Sequence, residues 1–250
     1  MPKGIKTEEV VTPTPYSLTP PTPSEVPMTS YIFDFNGTLY QDTPMHKSAW
    51  REYFRRMHAP FTDENFYKYM CGPPNSAILR QFIDPDLTDA QVAAMSEDKE
   101  RIYREIILND PALQVLTPGA DAMLDRMKAA GVPCAIATGA DRANVDFYMD
   151  VLHIGRWFDY DHIFCAHRGI PGKPDPTIYR MTMEKLGYDP ADTVVVEDAL
   201  AGVRAAVGAG VKTVVAIDTT LGPAAFADIP EVVAVIHDFH DFKNEDNGTY

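Results

Sequence analysis

Cysteine is scarce in this sequence of 250 residues, and its three copies, Cys71, Cys134 and Cys165, lie far apart. Disulfide-stabilised secreted domains carry many cysteines at short spacing, so the sequence excludes that class and predicts a cytoplasmic protein. Long hydrophobic runs are missing too, since no segment approaches the roughly 20 apolar residues that span a bilayer. The chain does not open on a basic region followed by an apolar stretch, so we expect no signal peptide and no membrane association.

Basic residues are outnumbered by acidic ones, 22 to 36, which gives a formal net charge of −14. A polyanion of this strength has no general attraction for the phosphates of nucleic acid. We therefore predict that nucleic acid is not a partner. We expect a monomer or a weak dimer that acts on a small molecule.

Two terminal segments lack the apolar residues that a core requires. Residues 1–27 hold seven of the 21 prolines in Thr-Pro repeats, and we predict a disordered Pro/Thr-rich tail there. Residues 242–250 are polar, and we predict a frayed C-terminal tail.

Short β-branched runs alternate with helical patterns in most of the remaining chain. The predicted strands are Tyr31–Phe35, Val132–Thr138, Ile163–Ala166, Thr193–Val196, Val211–Ile217 and Val232–Ile236. Helical patterns separate the later strands and cover Ala120–Ala130, Asp141–Leu152, Pro176–Leu186 and Leu200–Ala209. This alternation predicts an α/β fold with a doubly wound, Rossmann-like parallel sheet, formed by residues 28–43 and 113–241.

Residues 44–112 interrupt the alternation with helical patterns alone. The predicted helices are Met45–Met57, Asp63–Met70, Ser76–Phe82 and Asp89–Leu108. The simplest account is a helical domain inserted after the first strand. Such a domain would lie over the carboxyl ends of the strands, where open α/β sheets bind ligands.

Four short polar segments follow predicted strand ends or enter a helix from a loop. They are Asp34-Phe35-Asn36-Gly37-Thr38, Thr138-Gly139, Gly172-Lys173-Pro174-Asp175 and Glu197-Asp198. In a parallel sheet these segments converge on one edge. Carboxylates gathered there repel one another unless a cation lies between them, and oxygen ligands favour Mg²⁺. An Asp nucleophile, a metal and a lysine together suit phosphoryl transfer.

The four segments, in this order and with the helical insert after the first, resemble the motifs of the haloacid dehalogenase-like hydrolase superfamily. The insert is similar to the cap of its β-phosphoglucomutase-like branch, and the resemblance covers residues 29–240. It implies that Asp34 is the nucleophile and that Mg²⁺ is held by Asp34, the backbone carbonyl of Asn36, Glu197 and Asp198. It also implies that the phosphoryl group is bound by Thr138 and Lys173, together with Gly37, Thr38 and Gly139.

Position 36 departs from the family pattern. Phosphatases and mutases of the family have a second Asp there, which protonates the leaving oxygen and activates water. An amide performs neither step, and losing general acid–base catalysis typically costs about 10²–10⁴-fold in rate. We expect Asn36→Asp to restore that rate on alkyl phosphates and to change the stability little.

Substrate choice is expected to rest with the cap. The candidate contacts are His46 on the first cap helix and Asn75, Ser76 and Arg80 after Gly72. The resulting hypothesis is a Mg²⁺-dependent phosphatase for a small phosphate monoester, a sugar phosphate or similar metabolite. Two alternatives stay open: phosphoryl transfer of the β-phosphoglucomutase type, and a weakened module that only binds a phosphometabolite.

Overall fold

The structure is a computed structural model that describes residues 28–167 and 169–243. The predicted tail over 1–27 and most of the one over 242–250 therefore lie outside the described residues. The described strands are β1 (Ser30–Phe33), β2 (Cys134–Thr138), β3 (Ile163–Cys165), β4 (Thr193–Glu197), β5 (Thr213–Ile217) and β6 (Val232–Ile236). They form one sheet in the order β3-β2-β1-β4-β5-β6, with every pairing parallel. The predicted fold class is confirmed.

The central strand β1 lies between β2 and β4, and all four of its residues are buried. Strands covered on both faces consist of continuous apolar residues, and β4 follows the same rule with three consecutive valines. Phe33 is level with Ile136 of β2 and Val196 of β4. The three strands therefore end side by side, and the polar residues that follow them share one edge.

Helices cover both faces of the sheet. Their bounds are α5 (Ala120–Ala129), α6 (Arg142–Val151), α7 (Thr177–Leu186) and α8 (Leu200–Gly208). Residues of α5 and α6 such as Met123 and Tyr148 belong to one core cluster, whereas Tyr179 of α7 and Val203 of α8 belong to the other. This arrangement is the predicted double winding. None of the helices in the described ranges is long and apolar enough to cross a membrane.

The segment between β1 and β2 is helical, as predicted. It contains α1 (Thr43–Arg56), α2 (Asp63–Asn65), a π-helix (Phe66–Met70), α3 (Asn75–Phe82) and α4 (Asp89–Leu108). Helix α1 begins at Thr43, before the predicted boundary, because a proline is tolerated in the first turn of a helix. Helix α4 begins at a capping box in which Thr88 and Gln91 bond each other's backbone. It packs against α1 and α3.

The predicted C-terminal tail starts too early. Phe242 is buried, with its ring centroid 6.0 Å from that of Tyr31 and 6.4 Å from that of Phe33. An aromatic side chain at this place gains more by covering the central strand than by exposure to water. The core therefore extends at least to Phe242.

Candidate active site

The four polar segments meet at the carboxyl edge of the sheet. Asp34 follows β1, Thr138 ends β2, and Glu197 ends β4 with Asp198 directly after it. Asp34, Thr138 and Glu197 are all buried, which is uncommon for polar side chains and requires partners. The two carboxylates share Lys173 as a partner, and the Thr138 hydroxyl donates to Asn36.

Lys173 joins two of these carboxylates. Its Nζ atom donates to Asp34 Oδ1 and to Glu197 Oε1, at 2.6 Å each, and to the carbonyl of Ala137 at 3.1 Å. Burial lowers the pKa of Lys173, but the two carboxylates outweigh it and hold the pKa well above its usual range. The lysine is therefore a fixed positive charge beside Asp34.

Glu197 orients this lysine. Its Oε1 atom also accepts a hydrogen bond of 3.0 Å from the Tyr179 hydroxyl, and its Oε2 atom accepts one of 3.0 Å from the backbone N–H of Ala199. A Cβ at Gly202 of α8 would lie 1.7 Å from Oε1, so only glycine leaves room for this carboxylate. Both Glu197 oxygens are thus engaged by protein donors.

Asp198 completes the acidic cluster. Asp34, Glu197 and Asp198 each offer an oxygen, and these oxygens lie within 4.8 Å of one another. A Cβ at Gly37, whose φ is +84°, would lie 2.2 Å from Asp198 Oδ2, so the close approach of this carboxylate requires glycine. A set of carboxylate oxygens at this spacing fits Mg²⁺, with Asp34 and Asp198 as the ligands least engaged elsewhere.

The acidic cluster is electrostatically unfavourable by itself. Burial raises the pKa of Asp34 to about 7, although the Lys173 ammonium lowers it and Glu197 adds to the increase. Burial, with the charges of Glu197 and Asp34, raises the pKa of Asp198 well above its usual range. A divalent cation between these oxygens would favour their ionised forms.

Asn36 is held on all sides by the protein. Its Nδ2 atom donates to Asp42 Oδ2 at 2.6 Å and to the Tyr148 hydroxyl at 2.8 Å, and its Oδ1 atom accepts from the Thr138 hydroxyl at 3.1 Å. Both amide protons are therefore in use. The side chain is fixed as an amide, and neither proton is free for a leaving group.

Asp42 is a site residue that the sequence reasoning missed. It precedes α1, the place of an N-cap, but its side chain makes no capping bond and turns to Asn36 instead. The hydroxyl of Tyr103 also donates to it, and His46 Nε2 lies 3.3 Å away. Its Oδ1 atom is buried without a hydrogen-bond partner among the described residues. Burial alone would raise the pKa of Asp42, but His46, Tyr103 and Asn36 keep it below its usual value.

His46 connects the site to a buried ion pair in α4. Lys99 Nζ donates to His46 Nδ1 at 2.7 Å and to Glu100 Oε1 at 2.9 Å. The His46 ring stacks on Tyr103, with centroids 4.1 Å apart. Because a lysine ammonium can only donate, Nδ1 of His46 accepts from Lys99, and Nε2 faces Asp42. Lys99 occupies the apolar stripe of α4, four residues before Tyr103, and this position was the signal in the sequence.

Two of the other predicted substrate contacts, Asn75 and Arg80, bond to residues outside the acidic cluster. Asn75 donates to Glu100 Oε1 at 2.7 Å, and Arg80 donates to Asp89 at 2.7 Å and to the carbonyl of Leu87 at 3.3 Å. Arg80 therefore closes the loop between α3 and α4 and is not brought to the cluster. Ser76 lies in the first turn of α3 and Gly139 in the loop after β2.

Comparison with known proteins identifies the family of the chain. The model of the haloacid dehalogenase-like hydrolase family matches residues 28–210. The chain belongs to that family. Hexitol phosphatase A of Escherichia coli is 31% identical over 208 residues, which cover 83% of this chain and 89% of that one.

Solved structures of related proteins resemble this chain over most of its length. A family IA hydrolase of Entamoeba histolytica is 29% identical with a TM-score of 0.80, covering 88% of this chain and 97% of its own. A β-phosphoglucomutase of Clostridium difficile shares the fold, at 20% identity and a TM-score of 0.70 over 87% of this chain and 94% of its own. The chain is therefore an enzyme of the haloacid dehalogenase-like hydrolase family, as predicted. Its fold is also that of the β-phosphoglucomutase.

Proposed function

We propose that the chain is a Mg²⁺-dependent phosphatase that hydrolyses a small phosphate monoester, such as a sugar phosphate, through an aspartyl-phosphate at Asp34. The observation that carries the proposal is the Asp34 carboxylate, held at 2.6 Å by Lys173 in a cluster with Asp198. A fixed carboxylate between a lysine and a cation site has the arrangement of a nucleophile for phosphorus. Hexitol phosphatase A, by its name, acts on phosphorylated hexitols.

The proposed reaction has two steps, attack on phosphorus and hydrolysis of the aspartyl-phosphate. An Asp34 oxygen attacks phosphorus, and the bond from phosphorus to the ester oxygen breaks with its electron pair going to that oxygen. Lys173 offsets the negative charge on the phosphoryl oxygens and keeps the Asp34 carboxylate turned toward them. Asp34 and Asp198, with the carbonyl of residue 36, would hold Mg²⁺, which supplies further charge stabilisation when bound. Water then hydrolyses the aspartyl-phosphate and regenerates Asp34.

A panel of phosphate esters assayed for phosphate release, with and without Mg²⁺, tests this proposal. The panel contains acetyl phosphate, p-nitrophenyl phosphate, hexose and hexitol monophosphates, and β-glucose 1-phosphate. Asp34→Asn is the matched control because it keeps a partner for Lys173 and removes the nucleophile. Metal-dependent release that Asp34→Asn abolishes supports the proposal. No release from any ester contradicts it, and formation of glucose 6-phosphate indicates a mutase instead.

Metal binding is tested separately by thermal unfolding. A ligand that binds the folded state at one hundred times its Kd stabilises it by about 2.7 kcal/mol. We expect the melting temperature to rise with Mg²⁺ and expect Asp198→Ala to abolish the rise. An unchanged melting curve of the native chain in excess Mg²⁺ would count against the assigned ligands.

The second candidate is a module that binds a phosphometabolite without turning it over. The locked amide of Asn36 favours this reading, since no acid stands where the family has one. Esters with good leaving groups distinguish the phosphatase from the binding module. A weak phosphatase still cleaves acetyl and aryl phosphates, whose leaving groups need no proton, whereas a binding module releases no phosphate from them.

A further inference from the structure

We propose that a cleft beside the acidic cluster binds the uncharged, hydroxyl-bearing part of the substrate, and that Tyr67, Thr219 and Thr220 select phosphorylated polyols with no second anionic group. This inference rests on the proposed function and specifies its substrate class. The cleft has a volume of about 370 Å³ and is lined by Thr43, Pro44, Tyr67, Thr219 and Thr220. Pockets for small molecules typically measure about 300–1,000 Å³.

The cleft adjoins the candidate active site at Thr219. Thr219, which follows β5, donates a hydrogen bond of 3.2 Å to the carbonyl of Gly37, and its hydroxyl lies 3.5 Å from Asp198 Oδ2. Thr219 thus contacts both the acidic cluster and the cleft. Because carboxylate oxygens of Asp198 and Asp34 lie within 4.8 Å of each other, Thr219 links the cleft to the neighbourhood of the nucleophile.

The chemistry of the lining suits a polyol. Four of the five residues carry a hydroxyl, and none is charged. Hydroxyls donate and accept, so they can pair with the hydroxyls of a sugar or polyol. The Tyr67 hydroxyl, which accepts from Lys47, can still donate its proton. The Thr219 hydroxyl, which donates to Gly37, can still accept. The ring of Tyr67, which is 50% exposed, and Pro44 add apolar surface for the C–H faces of such a ligand.

The cations next to the cleft are already paired. Lys47 donates to the Tyr67 hydroxyl at 3.2 Å and to Asp63 at 3.3 Å, and Arg51 donates to Asp63 at 2.6 Å. A second phosphate or carboxylate on the substrate would therefore compete with Asp63 for Lys47. The net charge of the chain, −14, would also repel this second anionic group. Both effects disfavour a bisphosphate relative to a monophosphate of the same polyol.

Binding to the Asp34→Asn protein in Mg²⁺ provides the test, because it is measured without turnover. The ligands are a hexitol monophosphate, a hexose bisphosphate and inorganic phosphate, followed by calorimetry. Each lost hydroxyl contact removes about one hydrogen bond, so Tyr67→Phe and Thr220→Val should each raise the Kd of the hexitol phosphate roughly threefold to tenfold. The Kd of inorganic phosphate should not change.

Tyr69→Phe is the matched control. This residue also lies on the π-helix, is 38% exposed and packs against Phe82, and it is not part of the lining. A second arm uses Asp63→Asn, which frees Lys47 and Arg51 and should tighten binding of the bisphosphate severalfold. Asp84→Asn, which removes an acidic side chain outside this group, should leave binding of the bisphosphate unchanged.

Three results would overturn the inference. The first is that the Asp34→Asn protein binds the bisphosphate as tightly as the monophosphate. The second is that Tyr67→Phe and Tyr69→Phe change the Kd of the hexitol phosphate equally, and the third is that neither Tyr67→Phe nor Thr220→Val changes it. Failure of the proposed function looks different. In that case the native chain releases no phosphate from any ester, while the binding preferences of the Asp34→Asn protein still decide the role of the cleft.

Discussion

Replacing Asn36 by Asp tests the unusual pair at the centre of the site. The substitution puts a carboxylate oxygen where Nδ2 now lies 2.6 Å from Asp42 Oδ2. Two carboxylates in contact do not both stay ionised, so the variant must take up a proton. That proton replaces the amide donor, so the penalty is the cost of taking it up at neutral pH, about 1.4 kcal/mol for each unit by which the pKa of the pair is raised. Because Asp42 is fully buried, solvent cannot screen the contact.

We therefore expect Asn36→Asp to lower the free energy of unfolding by roughly 2–4 kcal/mol at neutral pH. For a chain of this size that corresponds to about 4–16 °C in melting temperature. The raised pKa of the pair fixes the sign of the pH dependence. Below the pKa of an unfolded Asp, about 3.9, both states hold the proton and the penalty is absent, and it grows as the pH rises above that value. This changes the expectation from the sequence alone that stability would move little.

The assay is urea unfolding of the native chain, of Asn36→Asp and of a double variant, each at pH values of about 5 and about 8. The double variant Asn36→Asp/Asp42→Asn is the control, because it restores an amide facing a carboxylate with the positions exchanged. It should recover most of the lost stability. It is also the better background for testing whether an acid at position 36 raises the rate on alkyl phosphates. A single variant as stable as the native chain at both pH values would refute the contact and the reasoning built on it.

Three further predictions concern other parts of the structure. Although burial alone would raise the pKa of Glu100, Lys99 and its other partners lower it from 4.5 to about 2, so its ionised form stabilises the folded chain above about pH 4.5 and less as the pH falls toward 2. Glu100→Gln should lower the free energy of unfolding by about 3–5 kcal/mol at pH 7, measured by urea unfolding. It should also weaken the dependence of that free energy on pH between about 4.5 and 2. A loss of stability that is the same at every pH would contradict this prediction. Lys173→Met should lower kcat roughly 10²–10³-fold in the phosphate-release assay, and a rate within tenfold of the native one would remove Lys173 from the mechanism. Arg80→Met should leave kcat/KM unchanged on every ester of the panel and lower the stability by under about 1 kcal/mol, so altered selectivity would return Arg80 to the site.

Local sequence patterns predicted the sheet and its edge well, because β-branched runs such as Thr193–Val196 and the polar residues that follow them are adjacent in the chain. The contacts between Asp34, Lys173 and Glu197 then follow from the parallel topology. Local patterns do not report side-chain partners that lie on another helix. Arg80 has the chemistry of a substrate ligand, and the structure pairs it with Asp89 at the start of α4.

Buried polar groups were the hardest to foresee. Asp42 has the sequence position of a helix cap, and only the fold shows that it faces Asn36. The position of Lys99 on the apolar stripe of α4 indicates burial, but only the fold shows that Lys99 and Glu100 contact His46, Asn75 and each other. Thr219 enters the site from a strand end that carries no family motif. In each case the deciding contact joins residues at least six positions apart, which periodicity does not report.

Trapping the covalent intermediate tests the central claim most directly. The native chain is mixed with Mg²⁺ and acetyl phosphate labelled in the phosphoryl group, quenched in acid within the first turnover and digested for mass spectrometry. The account predicts phosphate bound to the peptide containing Asp34, with a slow loss because residue 36 supplies no carboxylate to activate water. Asp34→Asn should give no label. Phosphate release without any label on Asp34, or a label on another residue, would contradict the account.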